Sequence, residues 1–377
     1  MTPNGTSPVA ERTTSFVGAA LSMPARVDWV DYAKGICIIL VVMMHSTLGV
    51  EKALGTTGHL NAFIEWARPF RMPDFFLISG LFLSRRIDGS WRDYLDKKVV
   101  HFGYFYVLWF TIQFALKGYG FYQDLGLTGL IQQYALGFIE PFGTLWFIYM
   151  LAIFFVVVKL TRKVPPLLIF AAAAALEIAH INSGWLVVDE FARRFVYFYT
   201  GFWLSSYVFT ATNIMWQRSL FALMAMLYIW ATGHSFAMLN DVSKLPFVSL
   251  MLGFAGASAV ITTSIVLARS GGLKWLRYFG ENSIVIYLAF VLFMGPTRAI
   301  GIKLIPNINP DVLSLLTTTV SIIGAVLLFW AVRNTKFSFL FKRPAWAKLK
   351  PNSNPVETKP RSTYSAAHDF KTLADIS

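Results

Sequence analysis

Apolar residues gather in ten stretches along the chain, at approximately 33–50, 70–84, 98–116, 144–162, 166–182, 194–210, 218–234, 246–268, 282–298 and 311–332. Most are close to the ~20 residues that an α-helix needs to cross a ~30 Å hydrocarbon core at ~1.5 Å per residue. The pattern predicts an all-α integral membrane protein with about ten transmembrane helices. The second stretch, about 15 residues, is short and calls for a tilted or broken helix, or a thinned bilayer. Residues 1–25 and 345–377 are polar and rich in Pro, Ser, Thr and Lys. They read as disordered tails flanking a membrane domain at 26–344. "SFVGAALSM" at 15–23 is weakly apolar, and Asp28 and Asp31 follow before the first true helix. A cleaved signal peptide is not expected there.

Composition strengthens this picture. Of 377 residues, 56% are hydrophobic and only 14% charged, too few to wet the surface of a soluble domain. The net charge of +13 would fit a nucleic-acid partner, but its distribution fits topology better. With both termini cytoplasmic, the inner segments hold 24 of the 33 lysines and arginines and the outer segments 9. The single cysteine, Cys37, excludes an intrachain disulfide and a Cys-rich zinc site.

The first apolar run, "WVDYAKGICIILVVMMHSTLGV", puts Lys34 at one end and His45 deep inside. Eleven helical steps return to within about 20° of the start, so the two share a face roughly 16 Å apart along the axis. If the N-terminus is inside, His45 lies about 18 Å from the inner boundary, past the midplane. Lys34 either snorkels to the interface or meets an anion there. A mid-membrane histidine is rarer: such groups line pathways and sites, or are hydrogen-bonded within the bundle.

"DYAKGICIILVVMMH" resembles the start of the acyltransferase-3 family of membrane acyltransferases, whose first helix carries a basic residue, ten residues, then histidine. Lys34 replaces the usual arginine, as in the branch that includes sugar O-acetyltransferases. "MPDFFLISGLFL" (72–83), "GTLWFIYML" (143–151) and "FGENSIVIYLA" (279–289) resemble three later blocks of the family, in the family's order. Five positions depart from it. Lys98 and His101 stand for an Arg-x-x-Arg pair, Phe105 for a proline, Phe290 for a late histidine, and Arg71 where relatives often have histidine.

The resemblance implies transfer of an acyl group, commonly acetyl, from a cytosolic acyl-CoA to a hydroxyl of an extracytoplasmic or lipid-linked glycan, in a bacterial inner membrane. His45 then reads as the general base, since a sugar hydroxyl needs one within hydrogen-bond reach and imidazole has a suitable pKa. Lys34, Lys98 and His101 read as holding the CoA phosphates. Trp146 either positions the thioester, stacks on a sugar, or packs. Lys97, Arg85, Arg86 and Arg92 are also basic, but positive-inside topology alone accounts for the loop arginines.

On the far side, Arg71 and Asp74 sit three apart on one face, to pair with each other or to contact a glycan. Glu177 and His180, in "LEIAH", share a face near or beyond mid-depth. They read as an acceptor-site or structural pair rather than a metal site, because no second Glu-x-x-His completes one. Ser283 and Tyr287, four apart, either hydrogen-bond substrate or join helices. No phosphate-binding loop and no Gly-x-Ser-x-Gly elbow occur. Two other functions remain open: a secondary transporter using His45, Glu177 and Arg71, and an inactive scaffold.

Overall fold

The computed structural model describes residues 27–349 other than 85, 86, 241 and 306. Arg85, Arg86, the N-terminal tail and most of the C-terminal tail therefore lie outside the described residues. Thirteen α-helices follow in order among those described: α1 Asp28–Leu54, α2 Leu60–Leu81, α3 Trp91–Leu95, α4 His101–Leu136, α5 Trp146–Thr161, α6 Pro166–Ile178, α7 Leu186–Trp203, α8 Ser205–Gln217, α9 Leu220–Leu239, α10 Pro246–Ser270, α11 Lys274–Glu281, α12 Ser283–Leu304 and α13 Pro310–Val332. The protein is an all-α integral membrane protein.

Helix occupies every one of the ten apolar stretches, but seven of the described helical segments are both long and apolar enough to cross a bilayer. Three others miss for physical reasons. α2 carries Glu65, Arg68, Arg71 and Asp74, and is interrupted by Pro69 and Pro73, each of which removes one backbone bond. α7 carries Asp189, Glu190, Arg193 and Arg194. α6 has only 13 residues.

α1 is the hub, packing against α2, α10, α11, α12 and α13. Two glycines set its closest approach. At Gly280 of α11 a side chain would run into the backbone of Asp31, and at Gly35 of α1 into the carbonyl of Leu276. At the far end, Glu51 accepts from the Gly58 N–H (2.9 Å) and Asn61 Nδ2 (2.7 Å). Asp311 of α13 accepts from the N–H groups of His59 (3.0 Å) and Leu60 (2.8 Å), capping α2 from another helix.

The stretch read as an outer loop, 117–143, is largely helix. α4 continues to Leu136 and reverses at Gly126, whose φ of 67° is open to glycine. Beyond the reversal Tyr134 stacks on Phe110 (4.9 Å between centroids), and its hydroxyl meets Thr111 Oγ1 at 2.9 Å. Tyr106 donates to the Gly137 carbonyl and accepts from the Phe142 N–H at 3.2 Å. The chain thus folds back along α4 before α5 begins.

α3 joins α4 through a π-helical turn, Asp96–Val100. Such turns are rare and frequent at functional sites. Asp96 anchors the C-terminal segment here: Arg343 Nη2 donates to its carboxylate at 2.7 Å, and the Leu349 N–H to the other oxygen at 2.7 Å. Residues 345–349, assigned to a disordered tail from sequence, are docked on the bundle.

Candidate functional site

His45 is half-buried on α1, its ring 5.7 Å from that of Phe290 on α12. The histidine expected late in the chain is thus replaced by an apolar ring facing His45. The other matched blocks pack against α1 and against one another. One helical turn along α2 from Arg71, the fully buried Asp74 accepts a hydrogen bond from the buried Cys37 thiol of α1 at 2.5 Å. Phe76 lies 4.7 Å from Phe147 and 6.1 Å from Trp146 at the start of α5. Phe147 meets Tyr287 edge-on at 5.6 Å, and the Tyr287 hydroxyl donates to the Thr144 carbonyl at 2.5 Å. Four blocks, the first ending at residue 45 and the last beginning at 279, form one contiguous core.

Arg71 is buried, and its charge acts on His45. It does not pair with Asp74. Its Nη1 donates to the Ile64 carbonyl of its own helix at 3.3 Å, and its buried Nε has no partner. Arg194 of α7 acts electrostatically on Arg71, on Glu177 and on Tyr197. Arg194 is itself paired with Glu190 at 3.1 Å, one helical turn away. Glu177, also buried, accepts from Ser249 of α10 at 2.7 Å, and His180 Nε2 contacts the same hydroxyl at 3.2 Å. Glu177 and His180 are therefore joined through Ser249 rather than directly. His180 lies just past the end of α6 with φ 47°, which breaks the shared helix face expected from their spacing.

The other basic candidates lie on α1, on the π-helical turn and at the start of α4. Lys34 is half-buried on α1, and Lys98 Nζ sits 4.4 Å above the Phe155 ring. His101 is half-buried, edge-on to Phe105 at 5.1 Å, within reach of the charges of Lys98 and Arg343. Lys97 and Arg92 are exposed. Ser283 opens α12, half-buried.

Sequence reasoning missed Arg194, Ser249, Tyr197 and Arg343. Glu190 and Arg194 left a signal, an i,i+4 charge pair bordering an apolar run. Ser249 left none, because only the packing of α6 on α10 brings it to Glu177. A cavity of about 410 Å³ opens between α4 and α5, lined by Phe102, Tyr106, Ile148, Ala152, Ile153 and Val157 among others. It is apolar and holds none of the candidate site residues.

The described helices form a multi-pass membrane protein with a half-buried histidine on the central helix, a buried arginine whose charge acts on it, and further basic residues on α1, on the π-helical turn and at the start of α4. The chain belongs to the acyltransferase-3 family: the family's model, an acyltransferase domain, matches residues 27–333, from just before α1 to just after α13. It is 25% identical over 286 residues to inner membrane protein YcfT of Escherichia coli (strain K12), an alignment covering 69% of this chain and 77% of that protein. No solved structure matches the chain.

Proposed function

We propose that the protein is an inner-membrane O-acyltransferase that moves an acyl group, acetyl by preference, from cytosolic acyl-CoA to a hydroxyl of an extracytoplasmic or lipid-linked glycan. The observation that carries this reading is the packing of the four family blocks into one core with the helix that holds His45, whose ring meets Phe290 and on which the buried Arg71 charge acts. Acyl-CoA enters at the Lys34 end, its phosphates on Lys34, Lys98 and His101. The pantetheine arm then runs along α1 toward His45. The imidazole takes the proton of the acceptor hydroxyl, and the oxygen attacks the thioester carbonyl. The tetrahedral intermediate collapses with loss of the CoA thiolate, which recovers the proton from the imidazolium. A positioned general base of this kind contributes about 10²–10⁴-fold. The name of the Escherichia coli relative supports the inner-membrane location.

The test is binding of acetyl-CoA to the detergent-purified protein. Lys34→Ala is expected to weaken saturable binding about tenfold, by loss of a charge-assisted phosphate contact. His45→Ala is expected to bind as the native protein does while losing transfer. If neither acetyl-CoA nor a longer acyl-CoA binds, the acyltransferase reading fails and transport through the same polar residues takes its place.

A further inference from the structure

Arg71 is the least satisfied charge in the described part of the bundle core. It is 7% exposed, offers Nε to no acceptor and makes one long bond to a carbonyl of its own helix. Among the described residues no hydrogen bond or ion pair joins it to a neighbouring carboxylate, and the nearest ones have other contacts. Asp74 faces Cys37, Glu190 holds Arg194, and Glu65 pairs at 3.1 Å with the exposed Arg68. Arg68 and Arg194 add like charge, and Glu65 alone opposes it. A guanidinium removed from water without a counter-ion is costly, and it has a fork of donors that matches a carboxylate or phosphate.

We propose that Arg71 is the receptor for an anionic group of the substrate, a carboxylate or phosphate carried by the glycan acceptor, held beside His45 so that a neighbouring hydroxyl meets the imidazole. This deepens the acyltransferase reading and rests on it. The acceptor is the better source of the anion than the CoA phosphates, which have their own cations at the other end of α1, roughly 16 Å from His45. The polar groups also continue past Arg71 through Arg194, Glu190, Glu177, Ser249 and His180. That series of donors and acceptors suits the hydroxyls of a sugar and has no counterpart for a simple acyl chain. The orphaned Glu177 Oε2 supplies a further acceptor.

The experiment measures binding of D-glucuronate, glucose 6-phosphate and D-glucose to the full-length protein in detergent, and separately compares succinyl-CoA with acetyl-CoA. The expected result is saturable binding of an anionic sugar and none of glucose. Arg71→Gln should weaken it at least about tenfold, Arg71→Lys less, and Arg68→Gln not at all, because a lysine keeps the charge without the fork. Acetyl-CoA binding by Arg71→Gln at native strength shows that the variant is folded. It also separates failure here from failure of the acyltransferase reading. If instead the native protein prefers succinyl-CoA to acetyl-CoA and Arg71→Gln abolishes that preference, the anion belongs to the acyl group and the receptor role of Arg71 stands. Absence of any anion preference, or a preference that Arg71→Gln retains or Arg68→Gln equally removes, overturns the proposal.

Discussion

The two ends of α1 are built differently. At the Lys34 end α11 lies against α1 with glycine facing backbone on both helices, and the Tyr32 hydroxyl donates to the Gly272 carbonyl at 2.5 Å. Arg277 reaches both Asp28 (3.5 Å) and Glu281 (3.2 Å), so polar groups here have partners. Past His45, and on the helices packed there, buried polar atoms are left without protein partners: Ser46 Oγ and Thr47 Oγ1 on α1, Arg71 Nε on α2 and Glu177 Oε2 on α6. Native interiors seldom leave such atoms unpaired, and where they do the cause is commonly functional. The Lys34 end is clamped backbone to backbone, and the end past His45 holds buried polar groups that the protein itself leaves unpaired.

The packing end should be the more sensitive to added volume. Gly280→Val puts a branched side chain where the Asp31 backbone already stands, with the Gly35 nitrogen 2.8 Å from the new Cβ. Neither group is the end of a flexible side chain, so α11 must move off α1. The expected cost is about 3 kcal/mol, at the upper end of overpacking effects. Thermal unfolding in detergent should show it as the largest drop of any single change discussed here. A Tm within a degree of native would mean that α11 is not clamped to α1.

At the end past His45 the same logic reverses sign. Thr47 is buried at 1% exposure with its hydroxyl unpartnered, and valine has nearly its shape. Thr47→Val removes the burden of an unpaired hydroxyl, so stability should rise by about 1 kcal/mol. If the orphaned groups exist to meet substrate, acceptor affinity or transfer should fall in the same variant. A loss of stability would show that the hydroxyl has a partner in the folded protein, and the contrast between the two ends would weaken.

The parts of this arrangement that could be read from sequence are those written in contiguous residues. The apolar runs place helix in every predicted region, and Lys34 and His45 stand on one helix at a spacing any reader can convert to angle and distance. The α4 hairpin was hidden because 121–139, "FYQDLGLTGLIQQYALGFI", mixes Gln, Asp and Gly into its apolar residues and loses the signature of a span. Its reversal depends on one positive φ at Gly126. The runs of α2, expected to be tilted or broken, and of α7 stand among the ten predicted spans although both helices carry several charges, Arg71 and Arg194 among them. The alternatives offered for Asp74 could be separated only once Cys37 was seen to face it. Arg343 reaches Asp96 across almost 250 residues, and no local pattern announces a contact of that kind.

The smallest effect belongs to the ion pairs at the packing end. Arg277 is 43% exposed and Asp28 55%, at a 3.5 Å separation. Pairs this accessible are screened by solvent and lose side-chain entropy on forming, so Arg277→Ala should cost between about 0 and 1 kcal/mol, less at high salt. The comparison with Gly280→Val on the same short helix is informative, because the two residues lie three positions apart. If shape holds α11 in place, the glycine variant unfolds at a much lower temperature while the arginine variant stays near native. Should Arg277→Ala destabilise as strongly as Gly280→Val, the clasp would be electrostatic, and the difference between the two ends of α1 would lie in which charges are paired rather than in how closely the backbones approach.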